Sequence, residues 1–234
     1  MTNEYKDLVR TILHHGTDQE CRNGSQRIIP HYAFTLDFSD PTQDNHILKL
    51  RKMYYKGVLG EFKTLIDSEQ LTSVTQFEVN GCNYWQKWAG TNGALNLDYY
   101  NMLHPQLEWL IENIKADPNS RRHLIELWNY NNVEDGVLSL PCCWHGLNFS
   151  VINGVVHLKW TQRSVDTMLG LPADIYLAYK FMQLVTTQCN LRMGTCMFSL
   201  SNVHIYEEHL ENAAELLDRN RYDCDKPLKF ELKE

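Results

Sequence analysis

Residues 147–160 read LNFSVI-NG-VVHLKW, and this stretch decides the fold class. Apolar residues recur through both halves, and Asn153-Gly154 separates them. A two-residue type I′ turn needs a positive φ at both central positions, which Asn and Gly tolerate better than other residues. An Asn-Gly pair between two apolar segments therefore predicts an antiparallel β-hairpin, with strands over 147–152 and 155–160.

Helical patterns lie on both sides of this hairpin. Before it, the apolar residues of 54–65 share one helical face, and Pro105 opens an amphipathic helix that Pro118 stops. After it, the pattern predicts a long apolar helix over 174–188. The other predicted elements are strands over 123–128 and 197–206 and a helix over 207–219. Strands and helices that do not alternate strictly predict an α+β fold.

Length and charge limit what the chain can be. Its 234 residues predict one domain over 1–234, and 43% hydrophobic with 22% charged residues is typical of a globular protein. The net charge of −7 argues against a protein that coats nucleic acid. No apolar run is long enough for a membrane span and residues 1–15 lack the apolar core of a signal peptide, so we expect a cytoplasmic protein.

The cysteine pattern indicates neither a disulfide framework nor a metal site. Seven cysteines are an odd number, and no two have the C-x-x-C spacing of a zinc site. We therefore expect reduced, mostly buried thiols and no bound metal.

Three short segments contain groups able to do chemistry. Residues 140–145 (LPCCWH) contain two thiols, residues 162–174 (QRSVDTMLGLPAD) combine a cation, a hydroxyl and two carboxylates, and residues 119–122 (NSRR) contain adjacent arginines. Each segment also has an interpretation without function. These are a buried thiol, a helix that Asp174 caps, and a solvated turn.

These segments, taken in order with four others, resemble the thymidylate synthase family over most of the chain. The matching stretches are Glu61 within GVLGEF (57–62), YWQKWA (84–89), NGALNLDYY (92–100), DPNSRRHLIELWN (117–129), LPCC (140–143), QRSVDTMLGLPADI (162–175) and SLSNVHIYEEHLENA (199–213). The resemblance implies an α+β sandwich and a homodimer that packs through a twisted mixed sheet. It also implies one-carbon transfer from 5,10-methylenetetrahydrofolate to a pyrimidine nucleotide.

Cys142 and Cys143 compete for the family's nucleophile, and spacing separates them. In the family, an amide residue followed by an aromatic lies five positions after the nucleophile, and counting from Cys143 reaches Asn148 and then Phe149. The family's base-reading residue lies 31 positions after the nucleophile, which is Asp174. The resemblance therefore implies Cys143 as the nucleophile, Asn148 as a substrate contact and a structural role for Cys142.

The chemistry implied by the resemblance follows from the pyrimidine ring. A thiolate that adds to carbon 6 breaks the conjugation and makes carbon 5 nucleophilic. Carbon 5 then attacks the iminium form of the folate, and loss of the folate leaves an exocyclic methylene that hydride or water attacks. Thiolate formation needs nearby positive charge, for which we expect Arg163.

The remaining site residues are carried over from the family. Arg163, Ser164 and Arg22 are expected to bind the nucleotide phosphate, since guanidinium groups suit a dianion. Arg121 and Arg122 are expected to reach that phosphate from the other subunit. The other assignments are His204 and Tyr206 on the sugar, Glu61 for proton transfer, and Trp85, Tyr99 and Asp166 along the folate and base.

Two positions depart from thymidylate synthases, which have Asn in place of Asp174 and His in place of Trp144. A side-chain amide can donate to oxygen 4 of uracil, whereas an ionised carboxylate only accepts and suits the 4-amino group of cytosine. Asp is typical of phage deoxycytidylate hydroxymethylases, the branch of the family that the chain resembles most. Asp174 therefore predicts deoxycytidylate (dCMP) as the substrate. Trp144 is consistent with this prediction, because its replacement of the family's His fits a site without the water network around a uracil oxygen.

The fate of the methylene carbon separates the remaining alternatives. Residues 225–234 (DKPLKFELKE) lack the apolar ending that closes over folate in thymidylate synthases, and a less sealed cavity admits water. We therefore expect water as the final nucleophile and a hydroxymethyl product. A dCMP methylase, a CMP hydroxymethylase and an inactive binding or regulatory member of the family remain alternatives.

Overall fold

The computed structural model describes residues 1–133 and 138–228 and organises them around one mixed sheet. The strands of the described chain are β1 (Thr17–Cys21), β2 (Gly24–Asp37), β3 (Leu124–Glu126), β4 (Trp144–Ile152), β5 (Val155–Gln162), β6 (Val165–Asp166) and β7 (Arg192–Tyr206). Their order is β1-β2-β7-β5-β4-β3, and β6 also pairs with β7. β7 is parallel to β5 and β6, and the other pairs are antiparallel. The predicted α+β class is confirmed.

Helices pack against one face of this sheet. The described α-helices are α1 (Thr2–His15), α2 (Tyr55–Asp67), α3 (Val74–Glu78), α4 (Asp98–Asn101), α5 (Leu103–Ala116), α6 (Gly170–Cys189) and α7 (Leu210–Asp218). Short 3₁₀ helices cover Pro41–Gln43, Tyr84–Trp88, Thr91–Gly93, Tyr130–Asn132 and Glu207–His209. α6 packs on β5 and β7, α1 on β2, and α7 on β7. Within the described residues, none of these helices combines the length and apolarity needed to cross a membrane.

The β4–β5 hairpin has the predicted turn. Asn153 and Gly154 have φ values of 52° and 74°, and Ile152 pairs with Val155 across them. Both strands extend beyond the predicted ends, because β4 already begins at Trp144 and β5 continues to Gln162. The hairpin therefore begins directly after Cys143.

α6 begins at Gly170, four residues before the predicted start. Asp174 therefore lies inside the helix, and the interpretation that it caps the N-terminus is wrong. The backbone before α6 is instead satisfied by Asp166, whose Oδ1 accepts from the N–H groups of Met168 and Leu169 at 2.9 and 3.0 Å. This contact fixes the loop that leads from β6 into α6.

The sequence patterns did not predict β2. Of its 14 residues, only Gln26, Ile29 and Leu36 are buried, so no regular alternation of apolar residues marks the strand. It forms because it pairs with β7 along most of its length. α1 was also missed, and the predicted helix over 207–219 is a 3₁₀ turn followed by α7.

Aromatic rings fill the space between the sheet and α6. The ring centroid of Trp144 lies 4.8 Å from that of Trp160 and 5.7 Å from that of Phe181. Trp144 is only 3% exposed. The residue that follows the expected nucleophile is thus anchored in the core, which limits where Cys143 can lie.

The other face of the sheet is open in the described chain. Residues on this face alternate with the core residues of the central strands and are small or polar for the most part. The exposed ones include Ala33, Asn148, Lys159, Met197 and Ser201. A sheet whose second face is uncovered over five strands has room for a second layer of protein.

Candidate active site

A break between β5 and β6 opens the sheet beside β7. The two strands keep one register along β7, but Arg163 and Ser164 separate them. Opposite this gap, Asn202 has a φ of 49°, and its Nδ2 donates to the carbonyl oxygen of Arg163 at 2.8 Å. The break frees Arg163 and Ser164 from the regular alternation of a strand.

A cavity of about 260 Å³ lies beside the break. Ser164 lines it from the break, Arg22 from the turn between β1 and β2, and His204 and Tyr206 from the end of β7. Its other polar lining residues are Gln19, Asn23, Gln26 and Asn202. Four residues expected to bind the phosphate and the sugar are therefore brought together in one cavity.

His204 contributes an unpaired nitrogen to the wall of this cavity. Its Nδ1 lies 2.9 Å from the carbonyl oxygen of Asn202, and a carbonyl only accepts, so Nδ1 carries a proton. In the neutral ring Nε2 is then an acceptor, and it is buried without a hydrogen-bond partner among the described residues. A ligand hydroxyl would satisfy this nitrogen, as a sugar contact requires.

Arg163 is fixed against the segment that carries the two thiols. Its Nε donates to the carbonyl of Cys142 at 2.8 Å, and its Nη2 donates to that of Pro141 at 3.0 Å. The guanidinium also lies 5.2 Å from the ring centroid of Trp128. Two backbone acceptors and one ring face preset the orientation of this planar cation.

Cys142 and Cys143 have different surroundings. Cys142 is 4% exposed, and its Sγ lies 3.9 Å from the carbonyl oxygen of Leu127. Cys143 is partly exposed just before β4. The geometry therefore favours Cys143 as the thiol that a ligand reaches.

The Cys143 thiol is protonated in the free protein. Burial raises its pKa to about 11, the charge of Arg163 lowers it, and the carboxyl groups of Asp174 and Asp166 raise it. Arg163 thus acts on the thiol in the expected direction, but burial outweighs its charge before a ligand binds. Nucleophilic attack requires the proton to leave after binding.

A directed chain of hydrogen bonds holds Asp174. Trp160 Nε1 donates to Gln162 Oε1 at 2.9 Å, and Gln162 Nε2 donates to Asp174 Oδ2 at 2.8 Å. An indole N–H can only donate, so it fixes which end of the Gln162 amide faces Asp174. The proton of a neutral Asp174 then lies on Oδ1.

Burial raises the pKa of Asp174 from its usual 3.8 to about 8, and the hydrogen bond from Gln162 only partly opposes this shift. The nearby carboxyl groups of Glu61 and Asp166 raise the pKa as well. Asp174 is therefore mostly protonated in the free protein at neutral pH, which corrects the expectation of an ionised carboxylate. A neutral acid can transfer a proton to a ligand, which an amide cannot.

Glu61 lies on α2 and is 6% exposed. Trp85 Nε1 donates to its Oε1 at 2.9 Å, and the Tyr84 hydroxyl donates to its Oε2. Burial raises the pKa of Glu61, while these two donors lower it. The 3₁₀ helix that contains Tyr84 and Trp85 thus clamps both oxygens of the carboxyl group.

Of the three residues expected to contact the folate and the base, two are buried and one is partly exposed. Trp85 and Tyr99 are 4% and 2% exposed, and the ring of Trp85 stacks on Phe77 with 5.1 Å between centroids. Asp166 is partly exposed beside β7. Trp85 therefore contacts the site through Glu61, and neither ring presents an open face.

The cavity is not lined by five of the expected substrate contacts, which are Arg121, Arg122, Asn148, Arg163 and Asp174. Asn148 is exposed on the open face of the sheet, opposite Lys159. Arg121 and Arg122 are exposed before β3, at the edge of the sheet opposite β1. Five strand spacings separate these edges, which is roughly 24 Å. A single chain therefore does not bring the two arginines to Arg22.

Three residues of this site received no role from the sequence. Gln162 contacts Asp174, Tyr84 contacts Glu61, and Trp128 contacts Arg163. Each lies inside a stretch that resembles the family, and its partner lies 12 positions away for Gln162, 23 for Tyr84 and 35 for Trp128. Spacing alone gives no signal for such pairs.

In residues 1–133 and 138–228, no three His, Cys, Asp or Glu side chains are grouped to hold a metal ion. A comparison with protein families gives a match to the model described as thymidylate synthase, over residues 3–233. The match covers nearly the whole chain and includes every residue of the candidate site.

Proposed function

Since the chain belongs to the thymidylate synthase family, we propose that it hydroxymethylates carbon 5 of dCMP. Members of the family transfer a one-carbon unit from methylenetetrahydrofolate to carbon 5 of a nucleotide, so the chain is a one-carbon transferase. The choice of cytosine and the hydroxymethyl product are the parts that we propose.

Asp174 is the observation that supports cytosine. Its side chain is held by Gln162, and burial raises its pKa to about 8, so that it carries a proton near neutral pH. Nitrogen 3 of cytosine is a base that can take this proton, and the 4-amino group can donate to the other oxygen. Oxygen 4 of uracil is a much weaker base and shares such a proton poorly.

Formation of the covalent adduct makes transfer of the Asp174 proton to nitrogen 3 more favourable. The Cys143 thiol first loses its proton to water, and Sγ then adds to carbon 6. The electron pair of the C5–C6 double bond moves to the C4–C5 bond, and the pair of the N3–C4 double bond moves to nitrogen 3, which becomes more basic. A proton from Asp174 then neutralises the developing charge, and the resulting carboxylate faces a protonated base. The interaction between Asp174 and the base strengthens as the adduct forms, and such an interaction lowers the activation barrier of this step.

The cavity beside the β5–β6 break would bind the rest of the nucleotide. Arg22 and Ser164 provide a cation and a hydroxyl for the phosphate, and the unpaired Nε2 of His204 would accept the sugar hydroxyl. Tyr206 lies beside His204, with 5.0 Å between the ring centroids. These contacts give binding energy that does not depend on Cys143.

We also propose that the active enzyme is a homodimer packed through the open face of the sheet. Two observations support this arrangement. Asn148 is exposed on the open face, and Arg121 and Arg122 lie far from the cavity of their own chain. A twofold interface repeats the same surface on both subunits, so each subunit could present its arginines to the other's phosphate site.

Mixing two inactive variants should restore activity if the site is shared. Cys143→Ser lacks the nucleophile and Arg121→Ala lacks a phosphate contact, but a mixed dimer contains one site with both residues native. Unfolding and refolding the two variants together, with exchange checked by mass-tagged subunits, measures the recovery. Exchanged dimers without any recovery would contradict a shared site, and each variant refolded alone is the control.

The folate product tests the fate of the methylene. Attack by water leaves tetrahydrofolate, whereas hydride transfer from the folate leaves dihydrofolate. We expect turnover of dCMP without the near-ultraviolet absorbance rise that dihydrofolate causes. A rise equal to the nucleotide consumed would instead indicate a dCMP methylase. The assay with dUMP and with CMP reports the base and the sugar preference.

A further inference from the structure

The Tyr84 hydroxyl donates a hydrogen bond to the Glu61 carboxyl group. Tyr84 and Trp85 are consecutive residues, yet they donate to different oxygens of the same carboxyl group. An indole N–H can only donate, whereas a phenol can donate and accept. Tyr84 is therefore the partner of Glu61 that can respond to a change in protonation.

The surroundings of Tyr84 keep its hydrogen directed at Glu61. Cys82 is fully buried, and its thiol interacts with the Tyr84 hydroxyl. Burial beside Glu61 raises the pKa of Cys82 to about 12, and burial also raises the pKa of Tyr84 well above its usual value. Both groups stay neutral at physiological pH, so neither adds a competing charge.

Glu61 is itself placed to take a proton. Burial opposes its ionised form, and the two donors favour that form. Because burial and the two hydrogen bonds shift the pKa of Glu61 in opposite directions, the carboxyl group can change its protonation state without changing its position. Its orientation is fixed by α2 on one side and by the 3₁₀ helix Tyr84–Trp88 on the other.

We propose that Tyr84 is a positioning residue that holds Glu61 as the acceptor of the proton from the attacking water. This inference rests on the proposed hydroxymethyl transfer. In that step the water oxygen bonds to the exocyclic methylene carbon, and the electron pair of its double bond moves to carbon 5. The C5–C6 double bond then re-forms as Cys143 Sγ leaves carbon 6 as a thiolate. One water proton passes to Glu61, and the hydroxyl keeps the other.

Tyr84→Phe removes the hydroxyl and keeps the ring. We expect kcat for dCMP to fall about tenfold, which is the effect of losing one hydrogen bond to a charged group. The KM for dCMP should stay unchanged, because the phosphate and sugar cavity is not altered. Without this donor the pKa of Glu61 rises, so the acidic limb of the kcat–pH profile should move to higher pH.

Tyr54→Phe is the matched control. The Tyr54 hydroxyl donates to the carbonyl of Gly81 at 2.9 Å, next to Cys82, but it does not bond to Glu61 in the described chain. This variant should keep the wild-type pH profile. If Tyr84→Phe fails to fold, a fluorotyrosine at position 84 provides a stronger donor and should move the acidic limb to lower pH.

Two failures remain distinguishable in this experiment. If the wild-type protein converts dCMP to a hydroxymethyl product while Tyr84→Phe keeps the pH profile and kcat, the role of Tyr84 is wrong and the function stands. If the wild-type protein forms no hydroxymethyl product, the proposed function is wrong. An equal loss in Tyr84→Phe and Tyr54→Phe, without a shift of the pH profile, would mean a structural role only and would overturn the inference.

Discussion

Cys143→Ser should abolish turnover of dCMP while leaving nucleotide binding largely intact. We expect the binding energy to come from the cavity that contains Arg22, Ser164 and His204, and Cys143 is not among the residues that line it. In the proposed mechanism the chemistry depends on the thiol, since a serine hydroxyl is a far weaker nucleophile at the same position. Calorimetric titration with dCMP, together with a tritium-release assay at carbon 5, separates the two effects.

Cys142→Ser is the control, and it should keep most of the activity. The Cys142 side chain is 4% exposed and lies against the Leu127 carbonyl, so the change affects packing and not the reacting atoms. The reverse result, an inactive Cys142→Ser with an active Cys143→Ser, would show that the assigned nucleophile is off by one position.

The high pKa of Cys143 adds a second readout for its assignment. Because burial raises this pKa to about 11, alkylation of the free protein at Cys143 should be slow at neutral pH and should accelerate as the pH rises. Cys224 is exposed and provides the fast reference thiol on the same chain. Peptide mapping after timed alkylation reports both rates.

Asp174→Asn should shrink or invert the preference for dCMP over dUMP. For the wild-type protein we expect a ratio of kcat/KM on the order of 10²–10³, less than the largest discrimination that buried hydrogen-bonding sites reach. The Asn variant has no proton to transfer to nitrogen 3 of cytosine, and its amide can pair with oxygen 4 and N3–H of uracil. Initial rates with both nucleotides on both proteins give the two ratios. An unchanged ratio would falsify the base-reading role.

The same variant also tests whether Asp174 is buried as a neutral acid. In the folded protein its pKa is raised to about 8, whereas in the unfolded chain it is near 3.8. Between these pH values the folded state binds the extra proton, so this group makes the free energy of unfolding fall as pH rises. Asp174→Asn should remove that decline. Denaturant unfolding across this pH range measures it, with the exposed Asp67→Asn as the control.

Local patterns predicted those parts of the fold that are set by neighbouring residues. The β4–β5 hairpin follows from Asn153-Gly154, because the positive φ values are a property of those two residues. β2 could not be predicted, since its partner β7 lies more than a hundred residues away and few of its side chains are buried. The start of α6 was missed because Gly170 and Pro172 have low helix propensity and only the fold places them in a first turn.

The sequence likewise predicted which residues form the candidate site but not their protonation states. The family pattern predicted Arg22, Ser164, His204 and Tyr206, and the structure places them around one cavity. It led us to expect an ionised Asp174, which is wrong, because the pKa values of Cys143 and Asp174 depend on burial that only the folded chain creates. The sequence of residues 225–234 led us to expect an open cavity, but residues 229–234 lie outside the described residues. Support for attack by water therefore comes from Glu61 and its two hydrogen-bond donors.

In the reaction that we propose, water, and not hydride, attacks the methylene carbon on a cytosine nucleotide. Turnover of dCMP with methylenetetrahydrofolate in water enriched in oxygen-18, followed by mass spectrometry of the nucleotide, tests it most directly. We expect 5-hydroxymethyl-dCMP whose new oxygen carries the label. A 5-methyl-dCMP product without label, or thymidylate formed from dUMP with dCMP unchanged, would contradict it.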